Sequence, residues 1–388
     1  MTDLAFETRA AAPATRPFTP IATVRHADAP LYVKLARAQA LCDTGRFSDA
    51  EALLAEATPI PPDRPQLTFR ALIVEGWLAL AQGEVEHGRR VLQRARELSE
   101  GDEFADRDRA EALMRLGACD FRRAATAKAV ALLTLSLELC ERSEEPADWV
   151  RAQALVWRAR CYQRQREWEA ARDDVECALE LASSLQDEHA SAHAFFQASL
   201  IAERQKQWLL ARYYAEEARG RFELVDDRLN IARLTNNLGG LLFLLGRPEE
   251  AEQQLERAHE LALDAGSEAD AAQALSSLAQ VHLRGDRYEA AEREARTAIS
   301  LLEHRTDFRD EVGNAALVLG RALLEQEQLE EAGRWFDAAE LAFDDVGSVS
   351  HRAAAWVAQG DLAVRNQEPE RAASLYRRAA EALQDFHF

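Results

Sequence analysis

Gly246-Arg247-Pro248-Glu249-Glu250-Ala251 decides the fold, because the same six-residue pattern returns along the chain. It recurs as Gly45-Arg46-Phe47-Ser48-Asp49-Ala50, Arg166-Glu167-Trp168-Glu169-Ala170-Ala171, Asp286-Arg287-Tyr288-Glu289-Ala290-Ala291 and Gln367-Glu368-Pro369-Glu370-Arg371-Ala372. Weaker copies put Gly88, Ala129, Ala211 and Ala332 at the final position. The nine anchors are 38 to 42 residues apart. A fixed period of that size marks stacked supersecondary units that bury a continuous core between neighbours.

Twelve residues before each anchor stands a second small residue: Ala38, Gly76, Gly117, Ala159, Ser199, Gly239, Ala279, Gly320 and Gly360. Seven residues after it comes a third: Ala57, Ala95, Ser136, Ala178, Ala218, Ala258, Ala298, Ala339 and Ala379. Helices whose backbones approach closely need small side chains at the crossing. Each repeat therefore reads as helix A, a tight turn and helix B. Gly45, Gly83 and Gly246 suit the end of helix A, and Pro248 and Pro369 the first turn of helix B. Polar breakers such as Ser143-Glu144-Glu145-Pro146 and Asp264-Ala265-Gly266-Ser267 separate the repeats, and Pro59, Pro61, Pro62 and Pro65 mark an irregular joint.

These three small positions resemble the tetratricopeptide repeat, which places Gly or Ala at position 8 and Ala at positions 20 and 27. The resemblance covers roughly residues 31–385, although the period is near 40 rather than the family's 34. It implies an all-α, right-handed superhelical solenoid of about nine antiparallel helix pairs over residues 31–388, behind a flexible tail at 1–30. HEAT repeats share the period but lack the triplet and the Gly-x-aromatic turn.

Composition narrows the function. A net charge of −20 disfavours direct binding to nucleic acid or anionic membrane. No apolar run reaches the length of a membrane span, and the expected location is cytoplasmic. Cys42, Cys119, Cys140, Cys161 and Cys177 form no Cys-x-x-Cys pair and read as small core residues. Phosphate-binding glycine loops and nucleophile elbows are missing from the sequence, so neither a cofactor nor a catalytic residue is expected. His189 and His193 share a helix face at zinc-like spacing, but without a placed carboxylate they read as solvated residues, and no metal is expected. Paired carboxylates such as Asp173-Asp174 and Asp344-Asp345 read as helix surface.

The family resemblance places helix A on the inner surface, with positions 2, 5, 6, 9, 12 and 13 facing inward. In repeats 3 to 7 these positions carry Arg115, Arg122, Arg160, Arg164, Arg204, Arg233 and Arg284 against two carboxylates, Glu111 and Glu203. Arginine suits bidentate recognition of carboxylate or phosphate. Trp157, Phe196 and Phe243 would anchor apolar groups, and Gln197, Asn236 and Asn237 would hold an extended backbone. The expectation is a non-enzymatic scaffold or adaptor whose groove holds an acidic protein or peptide segment. The alternative is a peptide-responsive sensor similar to bacterial tetratricopeptide regulators but without their DNA-binding domain. Structural ion pairing of the same arginines would remove the groove.

Overall fold

The computed structural model describes residues 28–302 and 308–384. Most of the expected tail, residues 1–27, lies outside them. Among the described residues there are eighteen helices and no strand. They form two compact units, one ending at Asp227 and one beginning at Arg228.

In the first unit the A and B helices alternate as α1 (Ala29–Asp43), α2 (Phe47–Ala57), α3 (Pro65–Ala81), α4 (Val85–Ser99), α5 (Asp106–Arg122), α6 (Thr126–Arg142), α7 (Asp148–Gln165), α8 (Trp168–Leu185), α9 (Glu188–Arg204) and α10 (Trp208–Leu224). The second unit continues with α11 (Arg228–Leu244), α12 (Pro248–Asp264), α13 (Glu268–Arg284), α14 (Tyr288–Leu302), α15 (Arg309–Glu325), α16 (Leu329–Asp345), α17 (Val349–Arg365) and α18 (Pro369–Gln384). Every odd-numbered helix pairs with the one that follows it. The proline-rich joint at 58–64 follows α2, which has only 11 residues.

The hairpin crossings follow from side-chain size. All twenty-seven triplet positions are buried. A methyl group added at Gly239 would lie 2.6 Å from Leu255 Cγ and 3.2 Å from the Ala251 carbonyl oxygen, so only hydrogen fits. Where Ser199 replaces glycine, its hydroxyl donates to the Ala211 carbonyl at 2.9 Å and the crossing becomes polar.

The turn within each hairpin is the same in all nine repeats. Five residues before the anchor, Gly45, Gly83, Ala124, Arg166, Lys206, Gly246, Asp286, Glu327 and Gln367 have φ between 57° and 89°. The next residue's N–H reaches back five residues to a helix-A carbonyl, as in Arg247 to Leu242 and Gln328 to Leu323, both at 2.9 Å. That 6→1 bond closes the helix in a left-handed cap. Six of the nine are not glycine, at a steric cost of roughly 1–2 kcal/mol each.

Helix B ends where the polar breakers predicted. Ser267 caps α13 by accepting the Asp270 N–H, and Asp187 caps α9 through Ala190. Two expectations need correction. Cys177 is exposed while the other four cysteines are buried, because its position on α8 faces away from the helix-A layer. Asp174 is buried and bridges Arg158 at 2.7 and 2.8 Å, whereas Asp344 and Asp345 are exposed as expected.

Candidate functional site on the inner face

Within each unit, neighbouring A helices pack on one another: α1 on α3, α3 on α5, α5 on α7 and α7 on α9, then α11 on α13, α13 on α15 and α15 on α17. Successive B helices make no comparable contact among the described residues. The A layer therefore lies on the shorter arc of each unit, and its outward positions form the inner face.

The arginines of this face fall into different environments. Arg115 is 1% exposed, and its guanidinium meets Glu111 at 3.1 Å and the Trp77 ring at 4.7 Å. Glu111 also accepts from Arg70 at 2.5 Å, and Arg70 reaches Asp108 at 2.8 Å. Burial alone would raise the Glu111 carboxyl, but Arg70 and Arg115 overcome that penalty and hold it at about 2. These charges border a cavity of about 50 Å³ whose other walls include Gln39, Arg107 and Trp149. Such a space holds a few waters and no peptide. Arg115 is thus an internal structural charge rather than a groove contact, because the carboxylate it needs lies one helical turn away on the same helix.

Further along α7 the cations rest on rings. Arg160 sits 4.2 Å above Trp157 and 5.0 Å from Phe121, and Arg164 lies 4.0 Å over Phe121 while donating to its carbonyl at 2.7 Å. Trp157 meets Phe121 edge-on at 5.8 Å and Trp77 at 6.0 Å, which fixes the platform. Loss of water around Arg164 pushes its guanidinium below the usual range, with no carboxylate among the causes. Arg122 and Arg204 are exposed one repeat to either side. Phe196 is half-buried, and the buried Gln197 keeps an amide oxygen with no hydrogen-bond partner among the described residues.

The second unit repeats the division. Arg233 forms a two-pronged bridge to Asp270 at 2.8 and 3.1 Å, so it ties α11 to α13. Asn236 and Asn237 are half-buried, and the Asn236 amide oxygen has no partner among the described residues. Phe243 packs half-buried against the core around Leu255 and Leu278. Arg284 is exposed.

Sequence reasoning stopped at repeat 7 and missed a cavity of about 560 Å³ lined by Leu283, Arg321, Leu324, Asp361, Arg365 and Tyr376 among others. Its size suits a small ligand. Arg321 is half-buried and has no ion pair among the described residues. Burial lowers its guanidinium; Asp361 opposes that shift and Arg284 adds to it. Positions 9, 12 and 13 of repeats 8 and 9, read in the same register, would have found most of this wall.

His189 and His193 also depart from expectation. His189 is 7% exposed and His193 half-buried, because both rings pack edge-on against Phe222 at 5.8 and 5.0 Å.

Residues 230–304 match the family model described as tetratricopeptide repeat. The match covers two of the nine hairpins, α11 to α14, and the fold of the chain is that of a tetratricopeptide-like helical solenoid. Among curated proteins, no sequence matches it. Solved structures of similar fold include a Rap protein complexed with competence and sporulation factor, 16% identical, with a TM-score of 0.67 over 92% of this chain and 98% of that one. The apo quorum sensor NprR from B. thuringiensis is 11% identical, with a TM-score of 0.66 over 92% of this chain and 99% of that one. Aspartyl phosphate phosphatase F from Bacillus subtilis is 12% identical, with a TM-score of 0.58 over 93% and 96%. At these identities the likeness concerns the fold. Among the described residues, no helix is long and apolar enough to cross a membrane.

Proposed function

We propose that the protein is a non-enzymatic adaptor that holds an acidic, extended protein or peptide segment on the inner face of repeats 3 to 5. The observation that carries this reading is Arg164, a guanidinium packed on an aromatic ring with no carboxylate bridge, in a chain whose net charge is −20. Stacking leaves the edge of such a cation free to donate in plane, so an incoming carboxylate gains two hydrogen bonds without displacing an internal partner. Arg160 and Trp157 extend the platform. In repeats 6 and 7, Asn236, Asn237 and Arg284 offer the same chemistry, with Arg233 reserved for Asp270. The reading is cytoplasmic and needs no cofactor.

A sensor is the second reading. It is favoured by the full-length structural likeness to a Rap protein solved with competence and sporulation factor and to a quorum sensor. In that reading the bound segment is a small peptide that alters the pitch of the array.

The test is a panel of acidic, neutral and basic peptides presented to the parent and to an Arg160→Glu/Arg164→Glu variant. Acidic peptides should bind the parent, more weakly as salt rises, and fail to bind the variant, whose melting temperature stays near that of the parent. Equal binding by both proteins, or no preference for acidic peptides, would overturn the reading.

A further inference from the structure

Beside the N-terminal end of α9, two imidazoles and a carboxylate converge. His189 and His193 occupy successive turns of α9, with ring centroids 4.5 Å apart. Asp227, fully buried, reaches them from the joint between α10 and α11. One donor atom from each of the three residues lies within 4.8 Å of the others. A fourth oxygen is close, since the Asp43 carbonyl at the end of α1 is 3.2 Å from His189 Nε2.

The separation of one ligand pair is compatible with coordination as well as with a long hydrogen bond. His189 Nε2 lies 3.3 Å from Asp227 Oδ2, longer than the 2.9–3.0 Å usual for N–H···O. Two ligands placed about 2.0–2.1 Å from a tetrahedral ion stand roughly 3.3–3.4 Å apart. Two neutral imidazoles and a carboxylate form a donor set that suits zinc-class divalent ions, leaving one position for water or the Asp43 carbonyl. The Phe222 ring against both imidazoles limits their rotation and keeps water from one side.

We propose that His189, His193 and Asp227 form a binding site for a divalent transition ion such as Zn²⁺. The site borders the inner face, since His193 occupies position 2 of repeat 5, but it needs none of the arginines proposed to hold a peptide. Its ligands come from repeat 5 and the joint that follows it, and its neighbouring carbonyl comes from repeat 1. With the Asp43 carbonyl as the fourth ligand, an ion here would tie the first repeat to the fifth. Geometric selection of the ion rests on three fixed donors rather than on flexible surface side chains.

The experiment uses the untagged full chain, stripped with chelator and titrated with Co²⁺ while visible d–d absorption is followed, then competed with Zn²⁺. The parent should bind one ion per chain, with an absorption of low coordination number that Zn²⁺ abolishes. Zn²⁺ should also raise the melting temperature. His193→Gln, at a half-buried position, should fold normally by circular dichroism. Loss of even an outer-shell partner costs roughly 10–100-fold in affinity, so loss of a ligand should weaken binding by at least about tenfold. Cys177→Ser, which removes the exposed thiol, should bind as the parent does. The proposal is overturned by absence of saturable binding, by unchanged affinity in His193→Gln, or by loss of binding in Cys177→Ser.

Discussion

Replacing Glu111 with Gln removes a carboxylate shared by two buried guanidiniums, Arg70 and Arg115, while keeping the shape of the side chain. The Glu111 carboxyl is held at about 2, against an ordinary 4.5. A folded value below the unfolded one stabilises the protein fully above the unfolded value, and this contribution is lost as pH falls from about 4.5 toward 2. The difference is worth about 3 kcal/mol, at the lower end of the roughly 3–5 kcal/mol lost when one partner of a buried pair is removed. Urea unfolding at pH 7 should therefore show Glu111→Gln about 3 kcal/mol less stable than the parent, with the gap shrinking to under half by about pH 3. Amide exchange should report the loss first in α3 and α5, where the charges sit. A loss below about 1 kcal/mol at pH 7, the size of an exposed pair, would refute the reasoning. So would a gap that is the same at pH 7 and pH 3.

Four other substitutions separate the roles assigned above. Gly239→Ala should lose about 1–3 kcal/mol in chemical unfolding, because its methyl group meets Leu255 and the Ala251 carbonyl. Ala124→Gly, at φ 59°, should gain about 0.5–1 kcal/mol in the same assay, by removing the strain of a left-handed cap. Arg321→Met should leave the melting temperature unchanged or raise it, since a half-buried cation without an ion pair is a cost to folding, whereas Arg115→Met should lower it.

The hairpins were legible because a steric demand repeats: a position that admits only Gly, Ala or Ser shows itself nine times over, and Gly76, Gly239 and their equivalents sit at the crossings they implied. The left-handed turn was half legible. Gly246 announces it, but Lys206 and Gln367 adopt the same conformation with no sign in their identity, because the hairpin around them outweighs a local cost of about 1–2 kcal/mol. The inner face was read by position alone, and position does not distinguish Arg115 from Arg164.

What distinguishes them is the residue one period away. Neighbouring A helices pack side by side, so a side chain meets partners from the adjacent repeat roughly 40 positions on, and several polar contacts follow that rule: Arg70 with Glu111 across 41 residues, Arg233 with Asp270 across 37, His189 with Asp227 across 38. Arg115 reads as structural once Glu111 is seen to be held in place by Arg70. Arg164 has Arg122 one repeat before it and Arg204 one repeat after, at the same position of helix A. Like charges in a column cannot neutralise one another, and no carboxylate bridges Arg164 among the described residues, which is the feature the proposed acidic segment would use. The contact between His189 and the Asp43 carbonyl spans 146 residues, almost four repeats. No pattern of period 40 encodes it, because it depends on how tightly the first unit curves, and that curvature is the sum of small packing choices at each successive pair of A helices.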